Sequence, residues 1–117
     1  MQQPYLSLQS LRGEELNAVC FVMDYVEFHF NGPILRALTD PRVQTGEQSS
    51  PSPAPSSRDE LCALIGLTVE GIDVMEGDTI RVRLTSGRVL VVPLVPKAES
   101  LEAAHFVPGQ NKPIQVW

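Results

Sequence analysis

Cysteine is scarce in this 117-residue chain: Cys20 and Cys62 are the two, and no Cys-x-x-Cys pair exists. The missing spacing removes support for thiol-redox and zinc motifs, and two cysteines do not define a disulfide scaffold. Both are expected to act as small buried hydrophobes. Aromatics are few, with one Trp, two Tyr and four Phe, and a core would consume most of them, leaving little for base stacking. Nine basic residues face fourteen acidic ones, for a net charge of −5. That balance repels phosphate backbones and anionic lipid, so neither a nucleic acid nor a membrane is an expected partner. No apolar run approaches the roughly 20 residues of a membrane helix. Met1-Gln2-Gln3-Pro4 does not begin a basic stretch followed by an apolar one, so no targeting segment is expected and a cytoplasmic location is. Gly-x-Ser-x-Gly, a phosphate-cradling glycine loop and His-Glu-x-x-His are all absent. The acidic string Glu70, Asp73, Glu76 and Asp78 lacks the spacing of a calcium loop. No catalytic residue, metal ligand set or cofactor is therefore named.

What the chain does contain is alternation. Residues 67–95 read as three strands joined by two tight turns, Glu76-Gly77-Asp78 and Thr85-Ser86-Gly87, each with a glycine where positive φ is needed. Ile80, Val82 and Leu84 alternate with Arg81 and Arg83, giving one dry and one wet face. Gly71 stands where the alternation changes phase, which predicts a bulge. Arg81, Arg83 and Arg88 are read as a solvated face.

The first half carries a second set of strand signals. Residues 16–23 read as a strand buried on both faces, and residues 25–30 alternate with Val26, Phe28 and Phe30 inward. Asn31-Gly32 marks a hairpin, with Pro33 at a position whose missing N–H favours a wider turn or an edge. A weaker strand is expected at 34–38. No internal repeat is inferred, although each half holds three strand-like segments. Residues 44–57, rich in Ser and Pro, are expected to form a mobile surface loop. Ser57 and Glu60 stand at capping-box spacing before a short helix with Leu61, Leu64 and Ile65 as its apolar stripe and Gly66 as its stop. A second short helix is expected over 99–106. Ile114, Val116 and Trp117 are too apolar to stand in water, and form the candidate interface, docked on a sheet edge or a partner subunit.

One constellation bears on chemistry. Tyr25, Glu27 and His29 project from one face of an extended chain at two-residue spacing. A carboxylate beside an imidazole can work as an acid/base pair or as part of a metal site, but the sequence supplies no third ligand. The competing reading is the ordinary polar face of an antiparallel sheet, and His105 could join only if the fold brings it there.

Two stretches, residues 22–32 (Val-Met-Asp-Tyr-Val-Glu-Phe-His-Phe-Asn-Gly) and 87–94 with 102–106 following, resemble small bacterial α+β proteins of unknown function. The resemblance covers about a third of the chain and implies an α+β fold with no catalytic residues to carry over. Some proteins of this size and acidity look like immunity proteins for bacterial toxins. The expected fold is a single α+β domain over 1–117, with an antiparallel sheet of about six strands and one or two short helices. The expected function is non-enzymatic: protein binding or self-association as a homodimer. The rival is a small enzyme or small-molecule-binding protein using the Tyr25, Glu27 and His29 face.

Overall fold

The computed structural model describes residues 6–45, 56–97, 101–109 and 112–117. The described residues form nine strands and two helical turns: α1 (Leu6–Gln9), β1 (Ala18–Val22), β2 (Tyr25–His29), β3 (Ile34–Ala37), β4 (Arg42–Thr45), α2 (Arg58–Cys62), β5 (Val69–Met75), β6 (Thr79–Leu84), β7 (Arg88–Pro93), β8 (Ala104–Val107) and β9 (Gln115–Val116). They build two antiparallel sheets, ordered β1-β2-β3-β8-β9 and β4-β7-β6-β5. The single sheet of about six strands in an α+β fold is therefore corrected to a sheet-dominated fold. Strand β7 is buried on both sides, at Leu90, Val91 and Val92, but each sheet keeps one dry face, and the two need each other as cover. One apolar cluster unites them, including Phe28, Leu35 and Phe106 from the first sheet and Ile80, Val82 and Leu90 from the second. No helix among the described residues is long and apolar enough to cross a membrane.

The two halves repeat each other. Leu8-x-x-Leu11-x-Gly13 and Leu61-x-x-Leu64-x-Gly66 both turn their leucines into the core. Gly13 and Gly66, at φ +86 and +96, make the same left-handed step out of these turns. The chain then crosses its own counterpart. Gly13 N–H donates to the Val69 carbonyl at 2.8 Å, and Gly66 N–H to the Leu16 carbonyl at 2.7 Å. Leu16 N–H donates to Leu67, and Val69 N–H to Glu14, both at 2.9 Å. Glu15 and Thr68 bridge antiparallel between these pairs. When equivalent residues bridge one another antiparallel, a local twofold axis passes between them.

Strand registers obey the same relation. The inward row Val19–Phe28–Leu35–Phe106 crosses the first sheet, and Ile72–Val82–Leu90–Val43 crosses the second. Each three-stranded meander is completed by a strand from the other half: β4 follows β3 but pairs with β7, while β8 follows β7 but pairs with β3. The exchange makes the core indivisible between the halves. Beyond the shared Leu-x-x-Leu-x-Gly turns the repeat escapes a reading of side-chain types, because the repeated quantity is register and the polar outward residues of the halves differ.

Several local expectations hold. Ser57 and Glu60 form the capping box at the start of α2, and the register of β5 slips between Val69 and Gly71. The guanidinium of Arg83 lies across Gly71 in the space a side chain would fill. The Asn31-Gly32 hairpin forms, but its turn has two residues rather than the wider or edge-placed one expected from Pro33, because it is closed by Phe30 N–H donating to the Pro33 carbonyl at 2.9 Å, a bond that needs no proline N–H.

Others are corrected. Residues 104–107 form β8 rather than the end of a helix, because Ala104 and Phe106 alternate with His105 and Val107 and pair with β3. Cys20 and Cys62 are exposed rather than buried. For Cys20 the reason is the pleat of β1, which is dry on one face only: Val19 and Phe21 pack inward, so Cys20 and Val22 point out. Gln44 and Thr45 belong to β4, and residues 46–55 of the expected loop lie outside the described residues.

Candidate functional site

The outward face of the first sheet holds the predicted trio and brings it new neighbours. Met23 and Asp24 make a two-residue turn between β1 and β2, which sets Cys20 opposite Glu27. The Asn31-Gly32 turn sets Glu27 opposite Arg36. Pairing of β3 with β8 sets Arg36 opposite His105, and β9 adds Val116 beyond it. One row across five strands therefore reads Cys20–Glu27–Arg36–His105–Val116, with Tyr25 and His29 flanking Glu27 along β2.

Within this row the polar groups partner one another. His29 Nε2 lies 3.1 Å from Glu27 Oε1. Arg36 sends both Nε and Nη2 to Glu27 Oε2, each at 2.9 Å. Arg36 Nη1 sits 3.1 Å from His105 Nδ1, and His105 Nε2 sits 2.8 Å from Glu102 Oε1. A guanidinium can only donate, so His105 accepts at Nδ1 and carries its proton at Nε2, facing the Glu102 carboxylate. The Arg36 guanidinium also stacks over the Tyr25 ring, 5.1 Å from its centroid.

Glu27 is the hub. Its side chain is 15 % exposed, and burial alone works against its charge. The hydrogen bonds and charges of Arg36 and His29 outweigh burial and hold its carboxyl below the usual range. Its two oxygens are divided, Oε2 to Arg36 and Oε1 toward His29. A third group lies close by: Cys20 Sγ, a Glu27 carboxylate oxygen and a His29 ring nitrogen lie within 4.8 Å of one another.

The sequence named Tyr25, Glu27 and His29 as one face, and the structure brings them together. It adds Cys20, Arg36 and Glu102, which were missed, and His105, which had been named only on the condition that the fold bring it there. Cys20 and Arg36 had a legible signal, since counting back from the two tight turns places both opposite Glu27. His105 had none, because a long connection separates β8 from β3. These groups lie side by side on the outward face of the first sheet. A recess of about 820 Å³ opens beside them, lined in part by Val22, Met23, Tyr25, Asp40 and Lys97. Of the trio only Tyr25 reaches it. Lys97 and Asp40 pair at its rim at 2.8 Å.

The sheet edges receive unequal treatment. Beside β1, α2 lays Arg58 over the Phe21 ring at 5.1 Å. Beside β5, α1 sends Gln9 Nε2 to the Ile72 carbonyl at 3.0 Å. On β4, the Val43 N–H donates to Ser56 Oγ at 2.7 Å. The remaining edge is β9, where the predicted interface residues divide. Trp117 turns inward against the core, and its N–H donates to the Ala104 carbonyl at 2.9 Å. Ile114 and Val116 stay 54 % and 52 % exposed. Since Ala104 and Trp117 form a hydrogen-bonded pair, the next pair, His105 and Val116, is a non-bonded one, and Val116 turns its N–H and carbonyl away from β8.

No family model, curated protein or solved structure matches this chain.

Proposed function

We propose that the chain is a non-enzymatic binding module that takes a protein partner along β9, and that the partner is a second copy of the chain. The observation that carries this reading is the contrast among the sheet edges. Three have a helix, a glutamine or a serine against them, whereas β9 offers outward backbone groups at Val116 beside the exposed side chains of Ile114 and Val116. An edge of that kind adds a strand: main-chain hydrogen bonds supply affinity, and the flanking apolar side chains supply cover. Two β9 edges meeting antiparallel about a twofold axis would join two five-stranded sheets into one.

Charge sets the conditions. Each copy carries −5, so self-association is opposed at low ionic strength and strengthens as salt screens the repulsion. A partner with a basic surface, such as a toxin domain, would show the opposite salt dependence. The test is sedimentation velocity over a concentration series at low and physiological salt. A dimer that grows with concentration and with salt supports self-association. A monomer throughout refutes it, and binding to a basic partner that weakens with salt would replace it.

A further inference from the structure

Cys20, Glu27 and His29 offer a thiol sulfur, a carboxylate oxygen and an imidazole nitrogen from facing positions of one hairpin, all within 4.8 Å of one another. We infer that this cluster is a three-ligand site for a borderline-soft divalent cation of the zinc type, with its fourth position open.

The geometry is near what such an ion needs. Bond lengths of about 2.0–2.1 Å to nitrogen and oxygen and about 2.3 Å to sulfur put the ligand atoms of a tetrahedral centre roughly 3.3–3.6 Å apart. His29 Nε2 and Glu27 Oε1 already stand 3.1 Å apart, so the ion takes the place of the proton between them. Cys20 is exposed, and its Sγ, within 4.8 Å of the other two donors, has to move in by about 1 Å to reach the tetrahedral spacing. On binding, the thiol proton goes to solvent, and His29 keeps its proton on Nδ1 while Nε2 becomes the ligand.

Two further features fit. Arg36 occupies only Oε2 of Glu27, fixing the carboxylate and leaving Oε1, already 3.1 Å from His29 Nε2, for the ion, as an outer partner does for a metal-binding carboxylate. Its positive charge lowers the affinity of the site without blocking it. The second half of the molecule serves as an internal control. By register, Asp73, Arg81 and Arg83 stand where Cys20, Glu27 and His29 stand in the first half. There the fold is content with an exposed ion pair, Arg83 Nε to Asp73 Oδ2 at 3.0 Å. The scaffold therefore does not require a sulfur, an oxygen and a nitrogen donor at these positions. Thiolate with imidazole selects zinc-type ions over magnesium or calcium, and the open fourth position leaves room for water or an incoming donor group.

The test is titration of the full, reduced chain with Co²⁺ alone, followed by displacement with Zn²⁺. The expected result is one equivalent bound, a thiolate-to-cobalt charge-transfer band in the near ultraviolet, and loss of that band when Zn²⁺ is added. Cys20→Ala should abolish the band, and Cys62→Ala should leave it unchanged. His29→Ala should weaken binding by at least the roughly tenfold that follows loss of a ligand's supporting hydrogen bond. Zn²⁺ should also protect Cys20, and not Cys62, from alkylation. Folding of each variant is checked by its thermal midpoint without metal. Absence of the band in the folded wild type, or equal binding by Cys20→Ala, would overturn the assignment.

Discussion

Replacing Arg36 by Met probes the strip on the first sheet at its centre. The methionine keeps the length of the stem but removes both donors to Glu27 Oε2 at 2.9 Å, the donor to His105 Nδ1 and the cation over Tyr25. A hydrogen bond to a charged group contributes about 1.5–3 kcal/mol, and a fully exposed ion pair about 1 kcal/mol or less. Arg36 and Glu27 are 25 % and 15 % exposed, between those limits. With stacking on Tyr25 included, the expected loss is about 2 kcal/mol. Unfolding entropy of about 2.1 cal/mol/K per residue gives about 0.25 kcal/mol/K for this chain, so Tm should fall about 8 °C. Calorimetry of both proteins at neutral pH measures this. Acidity supplies a second readout. The folded Glu27 carboxyl is lowered, so the unfolded chain binds that proton more readily than the folded one. The resulting stability is complete above the unfolded-state value of about 4.3 and is lost as pH falls through the lower folded value. The gap between wild type and Arg36→Met should therefore narrow below about pH 4. A fall in Tm under about 2 °C, within the roughly 0.5 kcal/mol of an ordinary surface change, would refute the view that this network is held by its burial.

Other perturbations separate the remaining claims. Asp73→Asn breaks an ion pair whose two side chains are more than half exposed, so chemical denaturation should register a loss of no more than about 1 kcal/mol. Gly13→Ala and Gly66→Ala each place a side chain at positive φ with nothing within 4 Å of it; each should cost about 1–2 kcal/mol by backbone strain, and the two losses should match. Phe28→Ala empties a fully buried position in the row that joins the sheets, and urea denaturation should show a loss of about 3–5 kcal/mol.

Much of the fold was legible because alternation and turn chemistry are local. Gly77 and Gly87 announced the second meander, Ser57 and Glu60 announced α2, and Gly71 announced the bulge. What escaped is non-local. The exchange of β4 and β8 between the sheets leaves no mark on residue order, so nothing at 42–45 or 104–107 says which sheet accepts them. The Ala-Ala pair at 103–104 reads as helix by propensity, and pairing with β3 overrides it. The repeat was hidden because inward positions accept any apolar residue of suitable size: Phe28 corresponds to Val82, and Phe106 to Val43. The candidate site was half legible. Tyr25, Glu27 and His29 share a strand, and two-residue periodicity reveals that directly. Cys20 looked like a core residue because its neighbours are apolar, and only the register of the hairpin turns it outward beside Glu27.

Sedimentation velocity of wild type beside Val116→Lys tests the binding edge most directly. The lysine stands on an exposed strand, clear of the β8 pairing made by Trp117, so the fold and its Tm should be unchanged. A wild-type dimer at physiological salt that becomes a monomer in the variant is the expected result. A wild type that stays monomeric at every concentration, or a dimer that the lysine leaves intact, would contradict it.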